Sequence, residues 1–274
     1  MPLIEDTEKH APLVSIITIV YNGEKYIEQC LKSIRNQTYH NIEYIVIDGK
    51  SKDNTLAILD NHKDLIDVMV SEKDRGISDA FNKGVARATG DIIGILNSDD
   101  YFNDDTLQDV VNFYIDNDKK NGIYYGNIRY FNDDTSYTRI SDLSRIWKYM
   151  SLNHPSMFVT KDVYEKIGGF SETLKYVMDA EFIHRALKNK ISFFYIDKSL
   201  SNFRLEGASD VNYKAMNKEF YQSVRKYNNQ GMVTEFWYLW SLLKRNIAQT
   251  QLGRFFYKRK HLIAPLLAGK IKKA

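Results

Sequence analysis

The amino-acid sequence predicts an α/β fold with a mostly parallel central sheet flanked by helices and with a C-terminal helical extension. In the N-terminal third, four short apolar segments rich in β-branched residues alternate with helical segments that carry one apolar face. A chain that alternates strand and helix forms right-handed crossovers and hence parallel strands. Because ligands of open α/β sheets bind at the carboxyl ends of the strands, the pattern also predicts where a site lies.

The predicted elements follow one another closely. The Tyr-Asn-Gly turn at residues 21–23 ends the first strand and opens the first helix, and the polar run at residues 51–55 supplies capping residues for the second. Ser78 caps a third helix with an apolar face. The predicted strands are Val14–Val20, Ile42–Ile47, Asp67–Ser71 and Ile92–Leu96, and the predicted helices cover about 24–36, 55–61 and 78–88.

Two acidic residues follow the fourth predicted strand. The apolar run Ile92–Leu96 is followed by Asn-Ser-Asp-Asp, and such a run is typical of a strand that is buried on both faces. The adjacent carboxylates of Asp99 and Asp100 repel each other, and a divalent cation that bridges to phosphate oxygens would offset the cost. A solvated turn that caps the helix starting near Asp104 is the alternative, and both interpretations stay open at this point.

Several groups at the other strand ends suit a nucleotide. An aromatic ring can stack on a base, a carboxylate can accept from a base N–H or a ribose hydroxyl, and cations can neutralise phosphates. These groups are Tyr21, Asp48, Arg75 and Lys83. Each also has a simpler interpretation as a cap or an ion-pair partner; Asp79, for example, lies one helical turn before Lys83.

Beyond Tyr101 the pattern changes to mixed α/β. A helix is predicted over Asp104–Ile115, and aromatic-rich strands are predicted around Gly122–Phe131. A further helix opens at Met178 and extends to about Lys188. Asp179, at its start, has a simple interpretation as a helix cap.

Composition fits a soluble globular protein. The chain has 274 residues, of which 43% are hydrophobic and 27% charged, and one cysteine, which excludes an intramolecular disulfide framework. Cys30 shares a helical face with Ile27, Leu31 and Ile34, which predicts a buried thiol. The N-terminus lacks the pattern of a signal peptide, and no apolar run reaches the ~18 residues of a spanning helix. We therefore expect a cytoplasmic protein.

The C-terminal segment is basic. Nine Lys or Arg residues and no acid follow Glu235. Interspersed Phe, Trp and Leu favour an anionic membrane surface over nucleic acid as the partner of residues 236–274, at the inner face of the cell membrane. A helical pair packed on the main domain, or a contact in a homo-oligomer, is the alternative.

Two segments carry a resemblance to a known family. The sequences SIITIVYNGEKYIEQCLKSIRNQTYHNIEYIVIDGKSKDNT and SEKDRGISDAFNKGVARATGDIIGILNSDDYF resemble family 2 glycosyltransferases of the GT-A fold, in the branch that builds bacterial polysaccharides. The resemblance extends from Pro12 to about Ser209. It implies inverting transfer of a sugar from a nucleotide-sugar donor, with UDP as the common nucleotide and Mn²⁺ or Mg²⁺ on the diphosphate. The implied acceptor is a saccharide or a polyprenyl-linked saccharide.

The resemblance also assigns roles by position. Asp179 matches the catalytic base, Asp100 the main metal ligand, and His154 and Glu181 lie where the acceptor would bind. The motif has Ser-Asp-Asp where many members have Asp-x-Asp, which leaves open whether Asp99 also touches the metal. The implied donor-binding residues are Thr18, Tyr21, Asn22, Glu24, Asp48, Arg75, Lys83, Asn97, Ser98 and Asp99.

The implied domains are a GT-A domain over residues 1–210 and an extension over 211–274. The GT-A domain has a nucleotide-sugar half at about 12–101 and an acceptor half at about 102–210. A catalytically inactive nucleotide- or saccharide-binding module of the same fold is the alternative function, and the intact acids Asp99, Asp100 and Asp179 disfavour it. A magnesium phosphatase would need an acid where the first strand ends in Tyr21 and Asn22. A dinucleotide oxidoreductase would need a G-x-G-x-x-G there.

Overall fold

The computed structural model describes residues 11–205, 213–228, 231, 235–241 and 243. The chain forms two compact units, Met1–Asn228 and Asn229–Ala274. The first unit thus extends past residue 210, where the sequence placed its end. In the second unit, residues 235–241 are helical. Most of the predicted membrane-binding segment, residues 236–274, lies outside the described residues.

The described part of the first unit has nine strands and seven α-helices. The strands are β1 (Val14–Val20), β2 (Ile42–Asp48), β3 (Val68–Ser71), β4 (Ile92–Asn97), β5 (Tyr101–Phe102), β6 (Ile123–Phe131), β7 (Ser136–Arg139), β8 (Met157–Thr160) and β9 (Phe193–Arg204). The helices are α1 (Ile27–Arg35), α2 (Thr55–Asp60), α3 (Ile77–Val85), α4 (Thr106–Asp116), α5 (Lys161–Ile167), α6 (Met178–Lys188) and α7 (Tyr213–Tyr227).

One sheet contains all nine strands, in the order β3-β2-β1-β4-β8-β6-β9-β5, with β7 paired to β6. The four N-terminal strands are parallel, as predicted. From β8 onward the sheet is mixed, because β8 runs antiparallel to both β4 and β6 while β9 runs parallel to β6. The carboxyl ends of β1 to β4 therefore lie side by side, and the mixed half of the sheet adjoins β4.

Helices cover both faces of the sheet. On β1, Ile16 packs with the α1 and α4 side chains, whereas Ile17 packs with α3 and α6. This alternation follows from the two-residue period of a strand. A Cβ added at Gly84 would lie 2.3 Å from Ile17 Cγ2, so the glycine lets α3 approach β1 closely. Cys30 is fully buried, as predicted, and burial raises the pKa of its thiol to about 12.

Helix α7 packs on the rest of the first unit through one apolar face. Phe220, Tyr221 and Val224 are buried, and the Tyr221 hydroxyl donates to the Lys148 carbonyl (2.9 Å). Among the helices that the structure describes, none is long and apolar enough to cross a bilayer.

Candidate active site

The loops that follow β1 and β2 are joined by hydrogen bonds. Asn22 has a φ of 51°, in the left-handed region that Asn tolerates. Its N–H donates to Ser51 Oγ (2.8 Å), and its Oδ1 accepts from the Lys52 N–H (2.9 Å). Glu24 Oε2 accepts from both the backbone and the side-chain amide of Asn54. Asn22 and Glu24, predicted to bind the donor, therefore hold one loop to the other.

Four loops meet around Tyr21, whose side chain is 59% exposed. A Cβ added at Gly49, after β2, would lie 3.4 Å from Tyr21 Cβ and 2.7 Å from Asp74 Oδ2, after β3. A Cβ added at Gly23, after β1, would lie 3.2 Å from the hydroxyl of Ser98, after β4. The strand order thus brings the predicted polar residues to one edge and leaves the aromatic ring free for stacking.

Thr18 does not reach this edge. Its side chain is fully buried, where Oγ1 accepts from the Tyr44 hydroxyl (3.0 Å) and lies 3.6 Å from Cys30 Sγ. The two-residue period of β1 turns the Thr18 side chain into the core, so the structure gives no support to the prediction that it lines the nucleotide.

Asp48 also differs from its prediction. It is fully buried, and its carboxylate accepts from the N–H groups of Lys50 and Ser51 and from the Ser71 hydroxyl. Its oxygens are occupied by the loop that follows β2. Asp48 shapes this loop and presents no exposed oxygen to a base or a ribose.

Arg75 lies at the exposed end of the loop after β3. Its guanidinium pairs with Asp79 (2.8 Å) and with Glu172 (2.9 Å), and the side chain is 74% exposed. Hydrogen bonds from Arg75 hold the pKa of Asp79 well below its usual range. The predicted phosphate contact of Arg75 would have to compete with these two carboxylates.

Lys83 is the centre of an acidic cluster. Its ammonium lies 2.8 Å from Asp74, 3.0 Å from Glu72 and 3.1 Å from Asp79. Burial disfavours the charge, but the hydrogen bonds to these acids outweigh it and raise the pKa of Lys83. The predicted pairing of Asp79 with Lys83 is confirmed. The ammonium is thus already neutralised, and it holds the loop after β3 against α3.

The acidic pair at the end of β4 is deeply placed. Asp100 is 1% exposed, and its Oδ1 accepts from the Arg204 N–H (3.0 Å) while Oδ2 accepts from Asn97 Nδ2 (3.2 Å). Burial, together with the neighbouring charge of Asp99, raises the pKa of Asp100 well above its usual range. Burial raises the pKa of Asp99 as well, and His154 and Arg204 partly offset the rise. Asp100 is therefore buried at the end of β4, with both carboxylate oxygens held by hydrogen bonds.

Arg204, at the end of β9, lies in the stretch 203–209 that resembles the family's segment over the donor, but the sequence did not indicate its contact with the acidic pair. Its guanidinium lies between two aromatic rings, 4.0 Å from the Tyr26 centroid and 4.6 Å from that of Phe131, and it donates to Gln29 Oε1 (3.0 Å). Its Nε is buried and has no hydrogen-bond partner among the described residues. Because its backbone N–H binds Asp100, Arg204 fixes the end of β9 next to the acidic pair.

Asp179 lies in the first turn of α6, as predicted. Its Oδ2 is 3.3 Å from His154 Nδ1, and both side chains are 13% exposed. His154 opens a short 3-10 turn before β8, and its ring packs on Phe81 with centroids 5.1 Å apart. His154 Nε2 is buried without a hydrogen-bond partner in the described part of the chain. The two residues thus form one dyad with an unused ring nitrogen.

The Glu181 side chain does not point in the same direction as that of Asp179. It is 4% exposed and accepts from Arg185 Nε (3.2 Å), Arg185 Nη2 (3.1 Å) and the Tyr227 hydroxyl (2.5 Å). Arg185 also donates to the carbonyls of the Gly168–Gly169 turn. The Glu181 carboxylate joins α6 to α7 and to this turn, so the structure gives no support to the prediction of an acceptor contact.

The acidic pair fits a divalent cation with few protein ligands. Both carboxylates are desolvated, and no cationic side chain of the described residues forms an ion pair with Asp100, so a bound cation would supply the missing charge. No cluster of three or more metal-binding side chains occurs within the described residues. Mg²⁺ and related ions are commonly held by one or two carboxylates plus substrate phosphates. Asp100, with Asp99, would hold such an ion.

Solved structures with the same architecture identify the fold. S. aureus TarS 1–349 in complex with UDP-GlcNAc has a TM-score of 0.65 at 21% identity, over 92% of this chain and 78% of that one. The mannosyltransferase PcManGT from Pyrobaculum calidifontis, in complex with GDP-Man and Mn²⁺, has a TM-score of 0.61 at 19% identity, over 82% of this chain and 65% of that one. The curled mixed sheet with helices on both faces is the GT-A fold.

The family follows from the sequence comparison. Residues 15–175 match glycosyl transferase family 2, and the chain belongs to this family. An uncharacterised glycosyltransferase of Rickettsia typhi is 29% identical over 228 residues, which cover 78% of this chain and 71% of that protein. The minor teichoic acid biosynthesis protein GgaB of Bacillus subtilis is 25% identical over 278 residues, which cover 89% of this chain but 31% of that protein.

Proposed function

We propose that the protein is an inverting glycosyltransferase that moves a sugar from a nucleoside-diphosphate sugar, with uridine as the base, to a saccharide or polyprenyl-linked saccharide in surface polysaccharide biosynthesis. One observation carries the proposal. His154 contacts Asp179, and the short turn that begins at His154 packs against β4, whose end carries the acidic pair, so a carboxylate suited to a base and an acidic pair suited to a diphosphate occupy one site. The similarity to TarS with bound UDP-GlcNAc supports uridine as the base.

The proposed reaction is a single displacement. The acceptor hydroxyl attacks the anomeric carbon, a new C–O bond forms, and the bond from that carbon to the phosphate oxygen breaks with its electron pair leaving on the nucleoside diphosphate. Asp179 accepts the hydroxyl proton as the bond forms, a general-base contribution that is typically worth about 10²–10⁴ in rate.

The chain's other residues bind and orient the donor. Tyr21 is exposed for stacking on the base, and the backbone of the loops held by Asn22 and Glu24 surrounds it. A divalent ion on Asp100 and Asp99 would neutralise charge on the departing diphosphate. Arg204 stabilises this region because its backbone N–H donates to Asp100 and the positive charge of its side chain lowers the pKa of that carboxyl.

A donor screen tests the proposal. Purified protein is incubated with UDP- and GDP-sugars, with Mn²⁺, Mg²⁺ or a chelator, and nucleotide release is measured. We expect release from at least one UDP-sugar, stopped by the chelator and by Asp179→Asn. If UDP binds by calorimetry but no sugar nucleotide is turned over, with or without saccharide acceptors, the protein is instead a binding module of the same fold.

A further inference from the structure

Arg139, at the end of β7, carries a charge that no carboxylate of residues 11–205 pairs. One of its Nη atoms donates to Asn153 Oδ1, and its guanidinium lies 5.0 Å from the Tyr130 ring centroid. Its Nε is buried without a hydrogen-bond partner, and no carboxylate of the described residues lies within ion-pair distance. Arg35, Arg75, Arg145 and Arg185 pair with carboxylates, whereas Arg87 and Arg129 bind neutral oxygens; unlike those two, Arg139 also has a buried Nε without a partner among the described residues.

Asn153 and His154 link the unpaired charge of Arg139 to the proposed base. Asn153, which accepts from Arg139, directly precedes His154, and His154 contacts Asp179. The Tyr130 hydroxyl donates to the same Asn153 oxygen (3.0 Å). Burial raises the pKa of Tyr130 to about 12, with Arg139 opposing the rise and Asp179 and Asp100 adding to it. Tyr130 thus lies within the electrostatic range of the cation, the base and the acidic pair.

The hairpin next to Arg139 offers a surface for a sugar ring. Tyr137 stacks on Tyr130 with centroids 5.3 Å apart and an interplanar angle of 17°, yet it is 54% exposed. Ile140, directly after Arg139, is 69% exposed. The register Tyr130↔Tyr137 and Ile128↔Arg139 places both rings and the guanidinium on one face of the hairpin. An exposed ring beside a cation suits a saccharide that has an apolar C–H face and a negative group.

We propose that Arg139 anchors an acceptor subsite for an oxyanion, so that the natural acceptor is a saccharide bearing a phosphate or a carboxylate. A guanidinium presents a planar fork of N–H donors that matches both groups, and its charge cannot be lost at any working pH. The oxyanion supplies the partner that Arg139 lacks and orients the acceptor hydroxyl toward Asp179. The inference rests on the proposed function, because it assigns the charge to the acceptor of that reaction.

Three sugars that differ in one group test the subsite. Binding of methyl glucoside, its 6-phosphate and methyl glucuronide is measured by ligand-observed NMR on wild type, Arg139→Gln and Arg145→Gln. We expect wild type to prefer an anionic probe, and the phosphate and uronate arms show which oxyanion fits. Arg139→Gln should weaken that probe about tenfold, as expected for a hydrogen bond to a charged group, and leave the neutral sugar unchanged.

Arg145→Gln is the matched control. It removes the same charge from a side chain that is 59% exposed and pairs with Asp142 (2.8 Å), so it should bind all three probes like wild type. Thermal melting of Arg139→Gln checks that the hairpin is folded, and Arg139→Lys should restore part of the anion preference because it keeps the charge without the planar fork.

Different outcomes test the oxyanion subsite at Arg139 and the proposed glycosyl transfer. A wild type that prefers neither anionic probe overturns the subsite, as does an equal loss for neutral and anionic probes in Arg139→Gln. A raised KM for the nucleotide sugar in Arg139→Gln, with probe binding unchanged, assigns the oxyanion to the donor diphosphate and also overturns it. Absence of nucleotide release by wild type would contradict the proposed function, whereas the probe comparison still decides the subsite.

Discussion

His154 Nδ1 lies 3.3 Å from Asp179 Oδ2, and the other ring nitrogen of His154 has no partner among the described residues. A carboxylate can only accept here, so Nδ1 carries the proton and, in the neutral ring, Nε2 is left as an acceptor. The dyad therefore holds the Asp179 carboxylate in place, and the proposed function assigns the buried Nε2 to the acceptor hydroxyl. This arrangement suits a general base that must meet an incoming acceptor.

Loss of the Asp179 carboxylate should slow the chemical step and leave the affinity for the donor unchanged. Asp179→Asn keeps the size of the side chain but cannot accept the proton, so kcat should fall by at least ~10² while the KM for the donor stays near that of wild type. Glu181→Gln, two residues along α6, is the control, because that carboxylate binds Arg185 and Tyr227. It should lower the melting temperature and keep kcat. A reversed result, with slow Glu181→Gln and active Asp179→Asn, would reassign the base.

The two nitrogens of His154 can be tested separately. In His154→Asn the side-chain amide can still donate to Asp179, whereas in His154→Gln a polar group is kept only near the position of Nε2. We expect His154→Asn to raise the KM for the acceptor and His154→Gln to lower kcat, each by roughly tenfold or more, as for a hydrogen bond to a charged group. Equal changes in both variants, following only their melting temperatures, would indicate a structural histidine.

Binding of the divalent ion should require the Asp100 carboxylate. Asp100→Asn removes one of two desolvated negative charges, so Mn²⁺ binding in the presence of UDP, measured by calorimetry, should be lost together with turnover. Because Asp100 accepts from the Arg204 N–H, the variant is first checked for an unchanged circular dichroism spectrum. Ser98→Ala, at the same loop, should retain Mn²⁺. Full activity of Asp100→Asn in excess chelator would remove the metal from the mechanism.

The predictability of the site differs between its two halves. The strand ends of β1 to β4 are set by local alternation, and the loops after them converge as the sequence indicates. The same alternation would have placed Thr18 inward with Ile16 and Val20, because the three share one face of β1. The burial of Asp48 could not be predicted, since an acid after a strand suits a loop cap and a ligand equally well.

Long-range pairing limits prediction in the C-terminal half. β9 spans 12 residues and runs parallel to β6 with an irregular register, and nothing local in FFYIDKSLSNFR specifies that partner. Arg204 belongs to the site only because β9 brings it between Tyr26 and Phe131, which are distant in sequence. By contrast, α6 begins and ends as predicted, because its acidic first turn and apolar face are local signals.

Acid should destabilise the first unit through His184. This side chain is fully buried between α6 and α7, stacked on Trp147 with centroids 4.6 Å apart. The Ile146 carbonyl can only accept, so Nε2 carries the proton (3.2 Å), and Nδ1 accepts from the Ser223 hydroxyl (2.8 Å). The neutral ring thus satisfies both partners, and burial lowers the pKa of His184 from 6.5 to about 4.

The loss of stability in acid follows from the different proton affinities of His184 in the folded and unfolded chain. The unfolded chain binds a proton at His184 below about pH 6.5, whereas the folded chain does so only near pH 4. The contribution of the neutral ring to the unfolding free energy is therefore fully present above pH 6.5 and is lost as the pH falls toward 4. At about 1.4 kcal/mol per pH unit, roughly 2 kcal/mol of unfolding free energy should be lost between pH 6.5 and 5. We expect urea unfolding of wild type and His184→Gln to differ by this amount in their pH dependence. His40→Gln, at an exposed histidine, should follow wild type. Parallel curves for wild type and His184→Gln would show that His184 is not the acid-sensitive group.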